Sequence, residues 1–129
     1  MNNEQNILIF DDFKRIALLD PIKQGAGHLK IISGYATPTM ASWHIKEIAE
    51  SEETLNPIEI TLIVGMCLFD GISRATHEGF KDVVYRNNDS QKAIFTCLYV
   101  IAGAPVHSKL YLWEREGSPF RAFMGSANY

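Results

Sequence analysis

His107 and Lys109 flank a single residue in the run His107-Ser108-Lys109-Leu110-Tyr111-Leu112-Trp113, and Gly125-Ser126-Ala127-Asn128 follows near the end of the chain. A neutral imidazole is a nucleophile and a protonated one is a proton donor, while an ammonium and a side-chain amide donate hydrogen bonds to anionic oxygens. Such a set suits attack on a phosphodiester, whose negative charge repels nucleophiles until donors occupy its nonbridging oxygens. Ser126 adds a hydroxyl, and the small residues beside it let a ligand approach the backbone.

Strands are needed to hold these groups together. Lys109 to Trp113 alternates and reads as a strand, with His107, Lys109, Tyr111 and Trp113 on one face. Phe120 to Met124 reads as its hairpin partner across the turn Arg115 to Pro119, which contains Gly117 and Pro119. Ser126 and Asn128 share a face if that second strand continues. Three earlier apolar runs, Leu29 to Ala36, Glu59 to Met66 and Ala93 to Ala102, read as buried strands.

Between them, Thr37 and Pro38 form an N-cap and first turn for a helix with Ala41, Ile45, Ile48 and Ala49 inward. A second helix after Asp70 turns Ile72, Thr76, Phe80, Val83 and Val84 inward and stops at Asn87 to Ser90. Phe13 to Leu19 suggests a helix interrupted by Pro21, and Gly25 to Gly27 is a joint with no G-K-[ST] after it. The alternation implies an α/β layered domain: helices cover the faces of a partly parallel sheet to which a C-terminal hairpin is added.

At 129 residues the chain is one domain, 1–129, and 47% hydrophobic with 21% charged residues places it among globular proteins. No apolar run reaches the roughly 20 residues that a membrane-spanning helix requires. Met1 to Asn6 lacks the layout of a secretory signal, so the expected compartment is the cytoplasm. Cys67 and Cys97 lie in apolar runs that read as strands and are expected to be reduced, buried thiols. A net charge of −3 supplies no global basic footprint, so nucleic-acid binding would need local positive potential.

His28, His44 and His77 are scattered without ligand-like pairing and read as surface or groove residues, not a zinc site. Tyr35 and Trp43 read as core or interface residues. Asp12-Phe13-Lys14 has the D-x-K spacing of metal-dependent nucleases but lies in an expected helix without an upstream carboxylate strand.

The H-x-K element, an acidic residue after four further positions and a G-S-x-N element resemble the phospholipase D superfamily: His107, Lys109, Glu114, Gly125, Ser126 and Asn128 match in order, with Glu114 where aspartate is common. With Ser33-Gly34-Tyr35 ending an early strand and a single H-x-K motif, the layout is most similar to the catalytic domains of restriction endonucleases in that superfamily. The resemblance implies a layered α/β/α domain with a mixed sheet, truncated at its C-terminus and taken from a longer chain. It also implies a catalytic set of His107, Lys109, Asn128, Ser126 and Glu114, with no metal or cofactor.

It further implies metal-independent cleavage of DNA through a phosphohistidine. Two motifs meet in such sites, so the second imidazole is expected from a symmetry-related subunit of a homodimer. A phospholipase or phosphatidyltransferase would use the same residues on a lipid, but this chain lacks a basic interfacial helix. A noncatalytic phosphate-binding module is the alternative from another class, and intact His107, Lys109 and Asn128 argue against it.

Overall fold

A computed structural model describes residues 12–51, 56–88 and 92–129. Met1 to Asn6, and the Asp89 and Ser90 part of the expected helix stop, lie outside the described residues. Short helices α1 (Phe13–Leu18) and α2 (Asp20–Lys23) precede β1 (His28–Ser33), α3 (Pro38–Glu50), β2 (Ile58–Val64), α4 (Cys67–Asp70), α5 (Arg74–Asn88), β3 (Ala93–Tyr99), β4 (Lys109–Arg115) and β5 (Ser118–Met124). Pro21 sits in the first turn of α2, where its missing N–H costs nothing, so the interrupted helix becomes two.

The strands form one sheet in the order β3-β2-β1-β4-β5. β1, β2 and β3 are parallel neighbours, β4 pairs antiparallel with β1, and β5 pairs antiparallel with β4. The domain is therefore α/β with a mixed sheet. Glu116 and Gly117 both have positive φ, 54° and 78°, and make the two-residue turn whose twist matches that of the hairpin strands.

Strand alternation divides the sheet faces. Leu29, Ile31 and Ser33 of β1 pair in register with Ile60, Leu62 and Val64 of β2, and with Trp113, Tyr111 and Lys109 of β4. All of these but Lys109 are buried. β1, β2 and β3 advance in one direction across the sheet, and right-handed crossovers then put α3 and α5 on the same face. There Ala41, Ile45 and Ile48 of α3 and Phe80 and Val83 of α5 complete the core. Each fully buried Ile, Leu or Phe side chain contributes about 1.5–3 kcal/mol.

Thr37 caps α3, its hydroxyl accepting from the Met40 N–H at 3.2 Å, with Pro38 next as expected. α1 joins the same layer, because the Trp113 indole N–H donates to the Ala17 carbonyl at 2.7 Å. The opposite face carries Lys30, Thr61, Ile94 and Leu98, and no described helix covers it. The second helical layer of an α/β/α domain is not among the described residues.

Candidate active site

The carboxyl ends of β1 and β2 and the start of β4 lie at one end of the sheet, the place where open α/β sheets bind ligands. Val106 and His107 are laid against two strand-end glycines. A Cβ on Gly65 would come within 1.9 Å of the Val106 carbonyl oxygen, and one on Gly34 within 2.7 Å of His107 Cδ2. The Val106 N–H donates to the Gly65 carbonyl at 3.0 Å, which secures the approach.

His107 thus precedes the strand it was expected to open, and its side chain is exposed. Lys109 begins β4, opposite Ser33 of β1, and its Nζ donates to the His107 carbonyl oxygen at 3.3 Å. Imidazole and ammonium leave the same short segment at the same sheet end.

Asn128 reaches this end by a different route from the one its spacing suggests. β5 stops at Met124, the chain bends at Gly125 and Ser126, and the tail crosses the start of β4 toward β1. Three hydrogen bonds lay the tail down: Tyr111 hydroxyl to the Ala127 carbonyl at 2.7 Å, Tyr129 N–H to Ser33 Oγ at 3.2 Å, and Thr37 N–H to the Tyr129 carbonyl at 3.0 Å. Asn128 Oδ1 lies 3.2 Å from Ser33 Oγ. The single Ser33 hydroxyl proton is shared between that oxygen and the Tyr35 carbonyl. With Oδ1 turned toward Ser33, the amide N–H groups of this exposed side chain are its outward end. Ser126 is exposed in the bend, and its hydroxyl has no hydrogen-bond partner among the described residues.

His44 corrects the expectation of a surface or groove histidine, since it is fully buried on the inner face of α3. Burial, which penalises the charged ring, pushes its pKa down to about 4 against a smaller opposing effect of the Leu18 carbonyl. The neutral ring then has one tautomer that satisfies both partners: Nε2–H donates to Leu18 O at 2.9 Å, and Nδ1 accepts from the Tyr129 hydroxyl at 2.8 Å. One imidazole edge could make both bonds because His44 lies between α1 and the tail.

Glu114 is placed elsewhere. It pairs in register with His28 at the far end of β1, five residues along β4 from Lys109, or about 16 Å at the rise of a strand. Lys30 Nζ lies 2.7 Å from its carboxylate, and that hydrogen bond, aided by the charges of Lys30 and His28, holds the carboxyl below its ordinary value. The structure brings His107, Lys109 and Asn128 to one sheet end, Ser126 to the adjoining bend, and leaves Glu114 at the other.

Cys67 lies in α4 and not in a strand, because β2 ends at Val64 and the chain turns at Gly65; Cys97 is in β3, and both thiols are free and half-buried. Burial raises the Cys97 thiol to about 12, which removes it as a nucleophile at neutral pH. His28 is half-buried and His77 is exposed, bonded to the Tyr99 hydroxyl at 3.0 Å. Asp12 faces Arg15 at 2.6 Å. Trp43 packs against the core with the Lys14 ammonium 4.9 Å above its ring.

Ser33 and Tyr129 are site-building residues that the motif does not contain. Only the Ser-Gly-Tyr end of β1 hinted at the first; nothing in the sequence marks the second. The assembled groups can place two kinds of donor and an imidazole around one anion, in a site open to a large substrate.

Among the described residues, no helix is long and apolar enough to cross a membrane. The family model described as the NgoFVII restriction endonuclease N-terminal PLD domain matches residues 11–129. No curated protein matches the chain.

Proposed function

This chain belongs to the family of NgoFVII restriction endonuclease N-terminal PLD domains, and on that premise we propose that it is the catalytic module of a DNA-cleaving endonuclease that works through a phosphohistidine. The observation that carries the reading is the convergence of His107, Lys109 and Asn128 at one sheet end from two separate stretches of chain.

In the proposed reaction a neutral His107 nitrogen attacks phosphorus, and the P–O bond to the leaving strand breaks. The leaving oxygen takes its electron pair and a proton from a second, protonated imidazole. Water then attacks the phosphohistidine and gives its proton to that second imidazole. The N–P bond breaks, and His107 is restored. Lys109 and the outward amide of Asn128 hold the nonbridging oxygens, where charge is present throughout.

The second imidazole is His107 of a second copy, so the active unit is a homodimer with the site at its interface. Ser126, at the bend beside Asn128, is positioned to add a hydroxyl to the same phosphate. A restriction module acts on DNA in the cytoplasm, which is where we place this one. The scheme draws its positive charge from Lys109 and the imidazolium and calls for no metal ion.

Cleavage of plasmid DNA in excess EDTA, by the chain beside its His107→Ala variant, tests the reading. Cleavage that survives EDTA and disappears in the variant supports it. Cleavage that needs a metal and is indifferent to His107 overturns it.

A further inference from the structure

We infer that Tyr35, anchored by Asp70, is a positioning residue that orients the His107 imidazole; the inference rests on His107 being the nucleophile. His107 is exposed and precedes its strand, so neither burial nor a sheet ladder fixes its ring. Among the described residues, no group hydrogen-bonds to either ring nitrogen. With neither nitrogen engaged, the orientation of the ring comes from contact with carbon surfaces.

Two such surfaces are present. The backbone of Gly34 lies against the ring, close enough that a Cβ there would stand 2.7 Å from Cδ2. The next residue, Tyr35, sets its ring at 82° to the imidazole with centroids 5.7 Å apart, a perpendicular aromatic contact. Together they form a corner in which the imidazole plane has one favoured setting.

Tyr35 is 45% exposed and could not act as a wall unaided. Its hydroxyl donates to Asp70 Oδ2 at 2.5 Å, a charge-assisted bond to the last residue of α4. α4 is held in turn where the Met66 N–H donates to the Gly34 carbonyl at 3.0 Å. The restraint therefore closes on itself, from β1 through α4 and Asp70 to Tyr35 and back to the residue that lies against His107.

The test compares Tyr35→Leu, Tyr35→Phe and Asp70→Asn with the unaltered chain in DNA cleavage, and reads the His107 ring-proton signals by NMR, assigned by their absence in His107→Ala. Tyr35→Leu should lower kcat by roughly 10- to 100-fold with KM within about twofold, since geometry and not binding is lost. It should also shift the ring-proton signals, as the tyrosine ring current is removed. Tyr35→Phe keeps the perpendicular contact and should retain most of both; Asp70→Asn should fall between them and stands in if Tyr35→Leu does not fold.

Ring-proton signals unmoved in Tyr35→Leu overturn the inference, as does a shift unaccompanied by any change in kcat. If His107→Ala itself leaves cleavage intact, the nucleophile reading fails first, and the NMR signals still show whether Tyr35 orients the ring.

Discussion

The buried ring of His44 and the hydroxyl of Tyr129 stand 2.8 Å apart, which ties the middle of α3 to the residue that follows Asn128. Burial favours the neutral ring, to which that hydroxyl donates. With a pKa of about 4 in the folded chain and 6.5 ordinarily, His44 takes up a proton more readily when unfolded. Its contribution to stability is complete above about pH 6.5 and is lost as pH falls toward 4, a decline of about 3 kcal/mol over that window. Urea denaturation between pH 7.5 and 4 should show it, and His44→Gln should flatten the slope. An unchanged slope in the variant would show that other groups set it.

Asn128 is exposed, so its loss should affect reaction more than folding. Asn128→Ala is expected to lower kcat about 100-fold, the usual effect of removing one donor from an anion-stabilising set, while stability changes by less than about 1 kcal/mol. Asn128→Asp, which faces the phosphate with a negative charge, should be the worse of the two. Single-turnover cleavage of a labelled oligonucleotide duplex, with melting curves alongside, separates the two effects.

Glu114 gives the opposite expectation. Its partner is Lys30, 2.7 Å away and half exposed, at the end of the sheet remote from Lys109. Glu114→Gln should leave cleavage within about threefold and change stability little, as loss of a partly solvated ion pair does. A hundredfold loss of kcat in a stably folded variant would return Glu114 to the reaction.

The strand-end glycines should separate folding from activity. Gly65→Ala drives a Cβ into the Val106 carbonyl at 1.9 Å, a backbone atom that cannot swing aside, and should destabilise the chain by roughly 1–3 kcal/mol. Gly34→Ala meets Cδ2 of the exposed His107 side chain at 2.7 Å, which can move, and its Cβ lies 3.2 Å from Met66 Cγ and 3.3 Å from His107 Cα, where a shift of a few tenths of an ångström suffices. Its expected result is a nearly normal melting temperature with impaired cleavage.

If the site takes one imidazole from each of two copies, as proposed, mixtures should reveal it. When equal amounts of unaltered chain and His107→Ala exchange subunits freely, only dimers with both rings intact should cut, leaving about one quarter of the activity. A fall to one half would mean that each chain works alone.

Much of this architecture was legible in the residues because it depends on local pattern. The five strands and helices α3 and α5 lie where apolar periodicity put them, and Thr37-Pro38 starts α3 by a cap that needs no tertiary partner. The ends were less legible. The apolar run through Met66 suggested a longer β2, but Gly65 must accept the backbone of Val106, so the strand stops and Cys67 enters a helical turn. Likewise Met124 ends β5 because the tail finds better partners in Tyr111, Ser33 and Thr37 than in a continued ladder.

By itself the sequence determined most strands and the two long helices, the family to which the chain belongs and the residue types available for chemistry, since each is encoded by spacing along the chain. Only the tertiary structure decided which of those residues meet. His107, Lys109 and Asn128 share a sheet end because β4 runs antiparallel to β1 and the tail crosses its start, while the same pairing carries Glu114 to the far end. His44 is in the core, and Tyr35 stands beside His107, for reasons of packing between segments far apart in sequence. Such contacts depend on the direction and register of strands that no local pattern records.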